Sequence, residues 1–200
     1  EGDVNPLRDI EIIETELIYA DITQLEKKID RLKKQSKASK EAAASLVIAE
    51  ELFKHLEELQ PVKTFENKEN EVFIALDKEL RFLSNKDVIY GANVDEDSLA
   101  DGGNKFVDLV KEHAASVNAD VILLCAKIEE ELVGLSDEEA NEFLADLGVQ
   151  ESGLEQIIHK AFDKLGLQSY FTAGKVEVRA WTIRKNTKAS QALIIYGEDV

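Results

Sequence analysis

The chain has 200 residues, with 24 basic against 41 acidic side chains and a formal net charge of −17. This length can bury one or two hydrophobic cores, and the acidic balance argues against a chain that coats nucleic acid with its whole surface. The single cysteine, Cys125, excludes an internal disulfide, and no apolar run reaches the roughly 18 residues that a membrane span needs. We therefore predict a cytoplasmic protein with no membrane partner and no DNA partner.

The first third of the chain is predicted to form two long helices. Apolar residues recur at alternating intervals of four and three residues, which is the seam of a coiled coil. These residues are Ile18, Ile22, Leu25, Ile29 and Leu32. A second run begins at about Glu41 and ends at Pro61, and its apolar face comprises Ala49, Leu52 (or Phe53), Leu56 and Leu59. Because the connection at 34–40 is short, the two helices should form an antiparallel hairpin.

The tip of this hairpin is strongly basic. Between Lys27 and Lys40, seven basic residues stand against Asp30 alone, so these 14 residues carry +6 and the rest of the chain carries −23. A positive finger on a negative body can contact phosphates while the body repels them, which favours one docking pose. The alternative, lysines that only keep a helix face in water, stays open. The predicted contact residues are Arg31, Lys33, Lys34, Lys37 and Lys40.

From about Lys63 onward, the pattern predicts strands that alternate with helices. The predicted elements are strands at 87–92 and 119–127 and helices at 104–117, 136–147 and 152–167. Ser136 and Glu139 have the spacing of a capping box. Glu129, Glu130 and Glu131 are interpreted as a solvated acidic run. The alternation indicates an α/β fold with a parallel sheet.

The last segment, 170–183, is rich in residues that favour strands, with Val176, Val178 and Ala180 in alternation. It predicts the start of a small, separate β-rich module.

Polar residues follow both predicted strands at their carboxyl ends, where open α/β sheets bind ligands. Asn93, Val94 and Glu96 follow the first strand, and Ala126 and Lys127 lie in a C-A-K turn after the second. The carboxamide of Asn93 can bond a purine edge or tie the two loops together, whereas the carboxylate of Glu96 only accepts. Backbone N–H groups of the turn could address a ring atom. The arrangement predicts a nucleotide-base site.

N-x-x-E followed by C-A-K resembles the fourth and fifth G-motifs of a P-loop GTPase-like domain. With "VNPLRDIEIIETEL", "ANVDED", "EFLADLG", "SGL" and "YFTAGKVEVRAWTI" in this order, the chain resembles the YchF subfamily of Obg-like ATPases from Val4 to about Ala192. The resemblance implies a ribosome-associated ATPase that binds ATP and contacts ribosomal RNA. It implies a helical coiled-coil insertion at 1–62, the carboxyl-terminal half of a G-domain at 63–168 and part of a β-grasp-like TGS domain at 169–200.

The TGS segment supplies a second set of candidate contacts to ribosomal RNA. These residues are Lys175, Arg179, Arg184 and Lys185. The final residues, 193–200, resemble a later TGS strand joined on after a gap.

The base motif departs from the N-K-x-D of ordinary GTPases at Val94 and Glu96. In N-K-x-D the aspartate accepts from both N1–H and the 2-amino group of guanine. Adenine lacks the 2-amino group and its N1 is an acceptor, so a carboxylate grip would leave a mismatch that costs about 1–3 kcal/mol. The physical argument predicts only a weakened selection for guanine, and the preference for ATP over GTP is what the resemblance implies.

The phosphate-binding loop of the family, G-x-x-x-x-G-K-[ST], does not occur in these 200 residues, and neither does methionine. Without the backbone N–H groups, lysine and Mg²⁺-binding hydroxyl of that loop, nothing would hold the β,γ-phosphates. We therefore expect this chain to be part of a longer protein and to be inactive as an ATPase by itself. Mg²⁺ is expected only with the missing loop, and no catalytic residue, metal ligand or oligomer is predicted.

A rival hypothesis is an adaptor that binds RNA or the ribosome and performs no nucleotide chemistry. In that case the α/β segment would be only a scaffold for the basic surfaces.

Overall fold

The computed structural model describes residues 4–173 and 177–196, with side chains as far as Ala192. The chain divides into two compact units, Glu1–Asp87 and Val88–Val200, and each contains a hydrophobic core. No helix among these described residues is long and apolar enough to cross a membrane.

The described part of the first unit is helical. It comprises α1 (Pro6–Gln35), α2 (Lys40–Glu57), a 3-10 turn at Val62–Thr64 and α3 (Glu71–Leu80). The long helices begin at capping side chains, because Asn5 accepts a hydrogen bond from the N–H of Arg8 and Ser39 accepts one from Ala42. Since α1 and α2 pack against each other across a short connection, the predicted helical hairpin is confirmed.

The predicted seam forms the core of the first unit. Its buried members are Ile18, Leu25, Ile29, Leu32, Ala49, Leu52 and Leu56, with Ile22 and Phe53 partly buried beside them. Leu59 is the exception, since α2 ends at Glu57 and the Leu59 side chain is 46% exposed.

The segment that follows Lys63 differs from the prediction. It contains no strand before Ile89 and continues as α3, which packs on α2 and buries Phe73 and Leu76 in the core of the hairpin. The predicted boundary between residues 62 and 63 thus lies within the first compact unit. Alternation of strands and helices begins only with the second unit.

A buried carboxylate connects α1 to the loop that follows α3. Asp21 is 0% exposed and accepts hydrogen bonds from the backbone N–H groups of Leu83 and Ser84, each at 2.8 Å. The hydroxyl of Ser84 donates to it at 2.7 Å, and the carboxamide of Gln24 donates at 3.2 Å. The hydrogen bonds from water that the Asp21 carboxylate loses on burial are thereby replaced by hydrogen bonds from protein donors.

The second unit contains a two-stranded parallel sheet of β1 (Ile89–Asn93) and β2 (Asp120–Leu124). Its helices are α4 (Glu96–Ala100), α5 (Lys105–Ser116), α6 (Ala126–Leu132), α7 (Asp137–Asp146) and α8 (Gly153–Lys164). The predicted α/β alternation is confirmed here, with α5 and α8 packed on the strands. The predicted capping box of Ser136 and Glu139 also forms at the start of α7.

The second strand is shorter than predicted. It ends at Leu124, opposite the last residue of β1, and the chain turns at Cys125 directly into α6. The C-A-K segment is therefore the start of a helix, because the strand has no partner to pair with beyond Asn93.

The carboxyl-terminal segment forms an antiparallel pair, β3 (Leu167–Ala173) and β4 (Val178–Arg184), followed by α9 (Ala189–Tyr196). The predicted β-rich segment is present, but β3 packs on α8 and belongs to the same compact unit as the parallel sheet. Residues 193–196 lie in α9, so the predicted late strand is wrong there, and residues 197–200 lie outside the described chain.

Candidate functional site

The carboxyl ends of β1 and β2 are joined by a side-chain bridge. Asn93 ends β1 opposite Leu124, and the N–H of Val94 donates to the carbonyl of Leu124 at 2.9 Å. Two residues past the end of β2, the N–H of Ala126 donates a hydrogen bond to Oδ1 of Asn93 at 3.0 Å. The Asn93 carboxamide therefore ties the two loops together, which is one of the two roles that the sequence predicted for it.

This bridge determines what remains for a ligand. The N–H of Ala126 is already used, so it is not available to a ring atom. The Nδ2 group of Asn93 has no protein acceptor among the described residues, and the Asn93 side chain is exposed. The amide can therefore donate to an acceptor such as N7, which adenine and guanine share.

Val94 has a packing role. Its side chain packs against a buried apolar cluster that comprises Leu99, Cys125, Ile128 and Leu144. A lysine at position 94, as in N-K-x-D, would have to leave this cluster or bury its charge. The apolar residue thus holds the loop after β1 on the core.

Glu96 is the first residue of α4, and Asp95 caps that helix by accepting from the N–H of Ser98 at 2.8 Å. Hydrogen bonds from the side chain and backbone of Ser98 lower the pKa of Asp95. Oε1 of Glu96 lies 2.5 Å from Nζ of Lys127, so an ion pair crosses between the two loops. Hydrogen bonding to Glu96, followed by the charges of Glu96 and Glu131, raises the pKa of Lys127.

The five predicted base-site residues are therefore brought to one edge of the parallel sheet. Asn93 contacts Ala126, Glu96 contacts Lys127, and Val94 anchors the loop between them.

Two residues that the sequence interpretation missed support this edge. Oε1 of Glu129 accepts from the N–H of Gly153 at 2.7 Å, and its Oε2 accepts from the N–H of Leu154 at 3.4 Å. A Cβ on Gly153 would lie 2.5 Å from Cβ of Leu124, so only glycine allows α8 to begin this close to β2. The interpretation of Glu129 as part of a solvated run is wrong. The spacing of Ser152 and Glu155, which form a second capping box, marked this helix start in the sequence.

The five predicted contact residues of the hairpin tip are exposed. Lys33 lies 3.7 Å from Glu50. Within the described part of the chain, no ion pair engages the other predicted contacts, which are Arg31, Lys34, Lys37 and Lys40.

Two of the basic residues predicted as contacts in the carboxyl-terminal segment form closer ion pairs than those of the hairpin tip. Arg179 contacts Glu177 at 2.9 Å and lies 5.7 Å from the Trp181 ring, and Lys185 contacts Asp163 at 2.6 Å. The Arg184 side chain is exposed, and Lys175 lies outside the described residues. The described residues contain no group of three or more His, Cys, Asp or Glu side chains that could hold a metal ion.

Comparison with known proteins gives consistent matches. Residues 167–197 match the family model YchF-GTPase_C, described as a protein of unknown function (DUF933). The "Ribosome-binding ATPase YchF" of Bacillus subtilis is 44% identical over 200 residues, which are 99% of this chain and 54% of that protein. The "Obg-like ATPase 1" of Schizosaccharomyces pombe is 36% identical over 204 residues, which are 96% of this chain and 50% of that protein.

A solved structure, titled as that of the Schizosaccharomyces pombe YchF GTPase, superimposes with a TM-score of 0.80 at 34% identity and covers 99% of this chain and 54% of that chain. The chain spans about half the length of the relatives it matches. The α/β fold is thus similar to that of a YchF protein, and the resemblance inferred from the motifs is confirmed. The chain belongs to the YchF family of Obg-like ATPases.

Proposed function

We propose that the edge formed by Asn93, Val94, Glu96, Ala126 and Lys127 is the base-recognition half of a nucleotide site in a ribosome-associated ATPase. The observation that carries the proposal is the pair of cross-loop contacts, Asn93 to Ala126 and Glu96 to Lys127, at the carboxyl ends of two parallel strands. Ligands of open α/β sheets bind in that position. The names of the relatives, "Ribosome-binding ATPase YchF" and "Obg-like ATPase 1", support the same class of function.

In this proposal the preferred nucleotide is ATP. The free amide of Asn93 donates to a ring acceptor common to both purines, so it supplies affinity without choosing between them. In N-K-x-D the aspartate recognises guanine, and this chain has Glu96 in place of that aspartate and Val94 in place of the lysine. The phosphates, the Mg²⁺ ion and hydrolysis require a phosphate-binding loop, whose motif these 200 residues lack.

The remaining segments are proposed to serve ribosome binding in the cytoplasm. Residues 1–62 would be the coiled-coil insertion, 63–168 the carboxyl-terminal half of the G-domain and 169–200 part of the TGS domain. The hairpin tip is the stronger candidate for contact with ribosomal RNA, since four of its five predicted cations have no acidic partner in the described chain. Arg184 is the corresponding candidate in the TGS segment.

The base site is tested by NMR titration of the chain with AMP and GMP. We expect the amide signals of residues 93–96 and 126–127 to shift, and we expect Asn93→Ala to weaken binding of both nucleotides. Asn141→Ala is the matched control, since Asn141 is an exposed asparagine of the same unit, on α7. Absence of any shift at these amides, together with retained ribosome binding, would replace this proposal with the adaptor hypothesis.

A further inference from the structure

Lys127 forms an ion pair with Glu96, which occupies the position of the guanine-recognising aspartate of N-K-x-D. Its Nζ lies 2.5 Å from Oε1 of Glu96 and 4.0 Å from Oε1 of Glu131 on the next turn of α6. The two contacts differ in kind, because the first joins separate loops whereas the second is local to one helix. Lys127 therefore connects α6 to the start of α4.

The ion pair affects the two purines differently. To grip guanine, a carboxylate must accept from N1–H and from the 2-amino group at the same time, which engages both of its oxygens. Lys127 occupies one acceptor position of Glu96 Oε1 and orients the carboxylate toward itself, so guanine has to compete with the ion pair for that grip. Adenine offers neither donor at these positions, so its binding leaves the pair intact.

We propose that Lys127 is a specificity-determining residue that withholds Glu96 from guanine and so favours adenine nucleotides. This inference rests on the proposed nucleotide site. The role proposed for Lys127 explains how a chain with an acidic residue in its base motif can disfavour guanine. The change from Asp to Glu alone does not explain this, because both side chains are carboxylates. This role in discrimination requires no contact between Lys127 and the base.

The expected size of the effect follows from the exposure of the pair. The side chains of Lys127 and Glu96 are 68% and 41% exposed, so the pair is solvated and weak. Its loss should therefore change the ratio of guanine to adenine affinity by about two- to fivefold. Because salt screens exposed pairs, the same ratio should rise with ionic strength in the wild type.

The test compares dissociation constants of AMP and GMP for the full chain by NMR titration at several salt concentrations. The two nucleotides carry the same phosphate charge, so their ratio isolates the base. In Lys127→Ala we expect the GMP affinity to rise about two- to fivefold relative to AMP and the salt dependence of the ratio to disappear. Lys127→Arg should keep the wild-type ratio, because it keeps the pair.

Two further variants separate this role from a general loss of charge. Lys111→Ala removes an exposed lysine of α5 in the same unit and should leave the ratio unchanged. In a Glu96→Gln background, Lys127→Ala should also have no effect on the ratio, since its target is already neutral.

The outcomes distinguish this inference from the proposed function. If both nucleotides shift the amides of residues 93–96 but the ratio is the same in wild type and Lys127→Ala, the base site stands and the role of Lys127 is refuted. A fall in relative GMP affinity would also refute it, because Lys127 would then contact guanine directly. If neither nucleotide shifts those amides, both proposals fail.

Discussion

The buried carboxylate of Asp21 should be a principal determinant of the stability of the first unit. Four donors converge on it, from Leu83, Ser84 twice and Gln24, at distances of 2.7 to 3.2 Å. Asp21→Ala leaves two backbone N–H groups in a site that is closed to water, and each unsatisfied group costs about 1–3 kcal/mol. Because partial relaxation offsets some of this cost, we expect a loss of about 2–5 kcal/mol in the free energy of unfolding.

Asp21→Asn is a sharper version of the same perturbation, since it preserves volume. The carboxamide offers one acceptor oxygen where the carboxylate offers two, and its NH2 group would face donors from Leu83 or Ser84. We expect a loss of about 2–4 kcal/mol, which is close to that of the alanine variant in spite of the conserved shape.

Urea unfolding of the first unit, followed through the amide NMR signals of α1 to α3, measures both variants. The matched control is Asp30→Asn, an exposed carboxylate on the same helix, for which we expect a change within about 0.5 kcal/mol. If Asp21→Asn unfolds at the same urea concentration as Asp30→Asn, the four hydrogen bonds do not stabilise the unit and the reasoning fails.

Three other predictions concern packing, pH and RNA. Gly153→Ala should destabilise the second unit by about 1–3 kcal/mol, because the new Cβ would lie 2.5 Å from Cβ of Leu124, and urea unfolding followed by the fluorescence of Trp181 measures it. Hydrogen bonding and charge from Lys164, with a smaller contribution from Lys160, lower the pKa of Asp120 below its usual value. The stabilisation that the ionised Asp120 contributes is therefore present above about pH 4 and is lost as the pH falls through its lowered pKa. In an acid-unfolding experiment, Lys164→Gln should lose less stability than the wild type over this pH range. Three phosphate contacts at the hairpin tip would give a slope of about 2–3 in log K against log salt for ribosome association. When Lys34, Lys37 and Lys40 are all changed to glutamate, co-sedimentation should show weaker ribosome binding and a flatter slope.

Each of these predictions has a control within the chain. Gly91→Ala adds a Cβ with no contact closer than 3.6 Å, so equal losses for it and Gly153→Ala would rule out the steric explanation. Identical acid unfolding of wild type and Lys164→Gln would show that the pair does not stabilise the unit. For the hairpin tip, the control reverses three exposed lysines elsewhere, namely Lys54, Lys78 and Lys111. If both triple variants weaken ribosome binding to the same extent, net charge rather than the hairpin tip governs association.

Local rules in the sequence were sufficient for the hairpin helices, the capped start of α7 and the two parallel strands. The alternating intervals of four and three residues located the buried face of α1, because a helix places such residues on one side whatever it packs against. The spacing of Ser136 and Glu139 located the start of α7, since both hydrogen bonds of a capping box form within four consecutive residues. The parallel pairing of β1 and β2 followed from the helix between two apolar strands.

The site itself depended on contacts between residues far apart in the sequence. Asn93 could read a base or tie two loops, and only the packing of β1 beside β2 brought the N–H of Ala126 to its Oδ1. Glu129 was indistinguishable from its acidic neighbours until the start of α8 was placed against it.

Asp21 shows the same limit in the first unit. Its position beside an apolar seam carried no sign that it would be fully buried, because the donors that satisfy it lie 62 and 63 residues away, on Leu83 and Ser84. A polar side chain is buried only where partners replace water, and those partners exist only after α3 has packed on α2 and brought the following loop to α1. The sequence alone thus determined the two long helices, the capped start of α7 and the two parallel strands. The tertiary structure decided where β2 ends and which polar groups meet, since a hydrogen bond requires its two atoms to lie within about 3 Å.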